Sequence, residues 1–114
     1  MKTQLLELYV AAAVAGADVK LANRRDSAID GVSARDGKPR VVTSVLCSCG
    51  EEGYLVALLE GELVLTANLP ALLAMLVPHP VNIPVPAGKQ LTFYVHSTDS
   101  TGSCAVVVGV QSED

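Results

Sequence analysis

Three cysteines and two histidines are the residues of this chain whose sulfur and nitrogen donors could hold a zinc ion. Cys47-Ser48-Cys49, joined by Cys104 and by His79 or His96, would supply the donors of a four-ligand zinc site. Structural zinc sites favour two cysteines separated by two residues, because a turn then aims both thiolates at one ion. In an extended Cys-x-Cys the side chains share a face about 7 Å apart, too far for one small ion unless the chain bends at Gly50. The spacing therefore points to reduced thiols in a core, cysteine being among the most buried residue types. A disulfide to Cys104 or to a neighbouring chain is the alternative.

Catalytic patterns are weaker still. His79 stands between Pro78 and Pro80, and His96 follows Tyr94 on the same side of an alternating segment. A nucleophile triad needs an activated Ser or Cys at a strained turn with a carboxylate behind the histidine, and no Gly-x-Ser-x-Gly elbow occurs. Glu51-Glu52 and the Glu60/Glu62 pair sit at turns between hydrophobic runs, where solvated charge explains them better than a glycosidase pair or calcium site. There is no P-loop and no dinucleotide fingerprint. The sequence predicts no enzyme, no cofactor and no metal.

Charge offers more. The chain carries a net −4, but residues 20–40 hold Lys20, Arg24, Arg25, Arg35, Lys38 and Arg40 against three aspartates. Residues 41–114 hold Lys89 against seven carboxylates. One basic segment on an acidic body can meet an acidic partner or the acidic face of another copy, which makes Arg24, Arg25, Arg35, Lys38 and Arg40 candidate partner-binding residues. A nucleic-acid site is disfavoured, since aspartates interleave the cations and no aromatic among them could stack on bases.

The elements that must position these groups read as β. In VNIPVPAGKQLTFYVHSTD, Pro84 and Pro86 lack backbone donors, so Val81 to Pro86 fits an edge strand and Gly88 turns the chain. Leu91, Phe93 and Val95 then point inward while Thr92, Tyr94 and His96 point out. This weakly polar, aromatic strip is the candidate self-association surface. Tyr54–Leu59 and Glu62–Ala67 flank Glu60-Gly61 as a hairpin, and Cys104–Val110, apolar on both faces, reads as a central strand covered twice. Between Val41 and Cys49, strict alternation sets Val41, Thr43, Val45 and Cys47 on one side and Val42, Ser44, Leu46 and Ser48 on the other. Residues 3–14 and 68–77 fit either strand or helix, the first leaning to strand. Residues 23–40 form a polar basic arm or long loop, with Asp30-Gly31 and Asp36-Gly37 as turns and a short strand between Ala28 and Ala34. Seven or eight short strands with Gly/Pro turns predict an all-β chain, one antiparallel β-sandwich of jelly-roll or Ig-like type spanning 1–114.

Half the residues are apolar and 18% are charged, against about 25% in an average globular chain. That imbalance favours surface covered by neighbours, hence a homo-oligomer. The opening MKTQLLELYVAAAVAGAD resembles a secretory leader, yet Glu7 interrupts its apolar run and no run is long enough for a bilayer-spanning helix. The expectation is a soluble, unprocessed chain with no membrane association.

The Val/Ala-rich sandwich, the arm NRRDSAIDGVSARDGKPR and the Pro-Val-Pro-Ala-Gly-Lys turn before LTFYVHS together resemble the small β-sandwich cement proteins that decorate tailed-bacteriophage heads. The resemblance implies a viral structural protein of the virion, made in the host cytoplasm. It also implies a homotrimer that binds a major capsid protein and stabilises the shell. It carries no diagnostic motif and so assigns no residues. The alternative is a carbohydrate- or ligand-binding β-sandwich module.

Overall fold

The computed structural model describes residues 2–11, 14, 16–48, 53–68, 78–97 and 102–112. Nine antiparallel strands are formed among them: β1 (Lys2–Val10), β2 (Asp18–Lys20), β3 (Gly31–Ser33), β4 (Arg40–Cys47), β5 (Gly53–Leu59), β6 (Glu62–Asn68), β7 (His79–Val85), β8 (Gln90–Ser97) and β9 (Cys104–Ser112). One sheet has the order β1-β9-β4-β7, the other β2-β8-β5-β6 with β3 also pairing β8. The chain is an all-β sandwich. Strand β3 falls within the short strand expected between Ala28 and Ala34, and the three-residue strand β2 is the one not anticipated.

Alternation builds the core. Leu91, Phe93 and Val95 of β8 are fully buried against Leu55 and Ala57 of β5, and across the sandwich against Leu8, Val106, Val108, Val42 and Val45. Each such side chain contributes roughly 1.5–3 kcal/mol by leaving water. Residues 2–10 are strand, with Leu8 in the core; residues 69–77 lie outside the described residues. β7 is an edge strand, as its prolines require.

Two expectations need correction. In β4 the register slips between Val42 and Ser44, so Thr43 is an extra residue and the alternation changes phase. Val42, Val45 and Cys47 therefore all face the core, instead of Val42 lying opposite Val45. Strand β9 is central in its sheet, but only one of its faces is fully covered: Cys104, Val106, Val108 and Val110 are buried, while Ala105 and Val107 on the outer face are half-buried.

The β5–β6 hairpin turns through Glu60 (φ 48°) and Gly61 (φ 88°), both left-handed, as a two-residue turn matched to strand twist demands. Among the described residues no helix is long and apolar enough to cross a membrane.

Candidate functional site

The residues singled out for metal or acid–base chemistry are dispersed. Cys47 is a core residue of β4; Cys104 is buried and disulfide-bonded, which corrects the expectation of reduced thiols throughout. Cys49, Glu51 and Glu52 lie outside the described residues. His79 belongs to β7 in one sheet and His96 to β8 in the other. Among the described residues, no three His, Cys, Asp or Glu side chains converge as metal ligands. The Nδ1 of His79 is buried with no hydrogen-bond partner among the described residues.

The basic segment lies along the body. The Asn23 side chain accepts from the backbone N–H groups of Arg25 and Asp26 and donates to the Glu7 carbonyl, fixing a turn beside β1. Arg24 bonds to the Glu7 carboxylate at 3.1 Å with its guanidinium 4.1 Å above the Tyr9 ring. Strand β3 pairs β8 from Gly31 to Ser33, where a Cβ on Gly31 would collide with the Leu91 backbone. Arg35 then reaches Glu60 at 3.3 Å and Gln90 at 3.1 Å. Arg40 bonds to Asp36 at 2.8 Å and to the Lys38 carbonyl. Thus Arg24 and Arg25 stand beside β1, Arg35 at the hairpin end of the other sheet, and Lys38 and Arg40 at the entry to β4. Arg25 and Lys38 make no side-chain ion pair among the described residues.

Two aspartates are tuned by this docking. Burial alone would raise the Asp30 pKa. It is outweighed by hydrogen bonds from Lys20 (3.1 Å) and Gln90 (2.6 Å) and by the Lys20 charge, so the carboxyl is held below its ordinary value. The Arg40 hydrogen bond does the same for Asp36, aided by the Lys38 backbone N–H. The Asp30 hydrogen bond in turn raises the Lys20 pKa.

Thr92, Tyr94 and His96 come together with partners that were not singled out from the sequence. Tyr94 lies between Lys20 and Val56, and His96 between Asp18 and Tyr54, with its Nδ1 2.7 Å from the Asp18 carboxylate. Thr92 is opposite Leu58 and donates to its carbonyl at 3.3 Å; Leu58 in turn faces Leu63. In β6 the register slips between Leu65 and Leu63, leaving Val64 as an extra residue. The outer face of the five-stranded sheet is therefore an apolar and aromatic surface, on which Tyr54 is 43% exposed, Leu63 62% and Val64 42%. The usable signal was the apolar pattern on both faces of Tyr54–Leu59, which a single covered face does not explain.

Comparison with known proteins finds no matching family model, no matching curated protein and no matching solved structure.

Proposed function

We propose that the chain is a structural assembly protein. In this reading it associates with itself through the outer face of the β2-β8-β5-β6 sheet and attaches to a larger protein shell by repeated weak contacts. A viral capsid with the protein as a trimeric decoration on the virion is the setting that the resemblance above implies. Symmetry multiplies modest contacts without any strong single site.

The observation that carries this reading is the solvent-facing cluster of Tyr54, Val56, Leu58, Leu63 and Tyr94, with Thr92 and His96 at its side. Its composition, aromatic and aliphatic with little charge, is that of an interface centre. Tyr54 and Tyr94 are diagonal neighbours across β5 and β8, and this pair also favours a second reading, a shallow carbohydrate site. Light scattering on the wild type and on Leu63→Lys separates the two. Assembly predicts an oligomer that the lysine disperses; a glycan module predicts a monomer whose sugar binding is lost in Tyr94→Ala.

A further inference from the structure

Five strands border the sheet edges, β2 and β3 sharing one of them beside β8, and the sequence treats them differently. Strand β7 carries Pro80 and Pro84, β2 is three residues long, and β6 has no basic residue. Strand β1 is nine residues long and proline-free. Its top rung is closed, since Tyr9 N–H donates to the Ala22 carbonyl at 2.7 Å and Ala22 N–H returns to Tyr9 at 3.0 Å. Antiparallel pairing alternates strictly, so the odd-numbered residues of β1 aim their backbone groups away from β9. The Glu7 carbonyl takes the Asn23 amide at 2.9 Å. The N–H groups of Thr3, Leu5 and Glu7, with the carbonyls of Thr3 and Leu5, face the open edge without a partner among the described residues.

A cavity lies on each side of that edge. On the outer side a groove of about 740 Å³ is lined by Leu5, Glu7, Asn23, Arg24 and Arg25, and Leu5 is 71% exposed. On the inner side, at the mouth between the sheets, a recess of about 220 Å³ is lined by Leu6, Ile29, Val32 and Val110, with Arg40 on its wall. Lys2, Arg24, Arg25 and Arg40 lie along this edge; Arg24 is paired with Glu7 and Arg40 with Asp36, which leaves Arg25 on the outer side without an ion pair among the described residues.

We propose that β1 is an acceptor edge for β-strand addition, and that its occupant is an extended acidic segment of a partner protein. The added main chain bonds to Thr3, Leu5 and Glu7. Its carboxylates meet Arg25 and Arg24 on the outer side, and its alternate aliphatic side chains enter the Leu6/Ile29/Val32 recess. Ladder bonds supply affinity and the alternating sides supply specificity. This deepens the assembly reading and rests on it only in taking the partner to be a protein.

The probe is a short capped peptide of alternating glutamate and valine, added to the isotope-labelled full chain and followed by amide exchange. The expected result is saturable binding that slows exchange at Thr3, Leu5 and Glu7 by about tenfold or more. Leu5→Pro removes an edge-facing N–H at a position where an edge strand tolerates proline, and Thr3→Pro does the same one rung away. Each should fold with an unchanged spectrum and lose binding. Arg25→Glu should weaken binding about tenfold and transfer preference to a lysine–valine peptide, and added salt should weaken the wild-type complex. Binding that survives both prolines, protection that falls elsewhere, or no binding at millimolar peptide would overturn the proposal. The native mass is independent of these outcomes: an oligomer that ignores the peptide loses only the edge, and a monomer that binds it loses only self-association.

Discussion

Among the described residues Phe93 is the largest fully buried side chain, the one phenylalanine in a core otherwise made of aliphatic residues and cysteine. No second ring can move in to fill its space, so Phe93→Ala is expected to cost about 3–5 kcal/mol in urea unfolding, towards the upper end. At the surface, Asp30 and Asp36 give the fold a pH dependence with a definite sign. Their folded pKa values lie below the unfolded ones, so their contribution is present above the unfolded pKa and lost as pH falls through the folded values. Lys20 has the opposite sign: raised in the fold, it contributes below its unfolded pKa and loses that contribution as pH rises through the folded value. The melting temperature should therefore decline below about pH 4, and Asp30→Asn should flatten that decline while lowering stability at neutral pH. The effect is small, because these ion pairs are partly exposed. An acid limb of the same slope in Asp30→Asn would contradict the assignment.

At the scale of elements, what could be read in the sequence divides by whether the signal is local. The prolines of β7, the alternation of β8 and the Glu60-Gly61 turn are each decided within a few residues, and each stands as read. The extra residue at Thr43 is set by how β4 pairs with both β7 and β9, about forty and about sixty-five residues away in the chain, and no pattern inside Val41–Cys47 marks it. Strand β2 exists only because β8 offers it an edge. The basic segment read as an arm because its cations have partners far off in sequence: Glu7 for Arg24 and Glu60 for Arg35. Of the outer face of the five-stranded sheet, Thr92, Tyr94 and His96 were legible from alternation alone, whereas placing Tyr54, Leu58 and Leu63 beside them needed the register of β5 and β6. The turn gives the element-scale test. Gly61→Ala places a side chain at a left-handed φ and should lower stability by about 1 kcal/mol in chemical unfolding, with secondary structure retained. No loss would show that the turn relaxes freely to another type.

At the scale of the whole molecule, the two sheets are finished differently. Proline protects one edge of the four-stranded sheet, and the other runs beside a basic groove. The five-stranded sheet turns an aliphatic and aromatic outer face to solvent, which a monomer gains nothing by exposing. Self-association through that face is the central claim. It is tested most directly by the native mass of the purified chain, measured by light scattering over a micromolar concentration range for the wild type, Leu63→Lys and Tyr94→Ala. A closed oligomer is expected, a trimer in the favoured form, that Leu63→Lys converts to monomer without loss of β structure and that Tyr94→Ala weakens. A wild type that is monomeric throughout, or an oligomer indifferent to both substitutions, would contradict it.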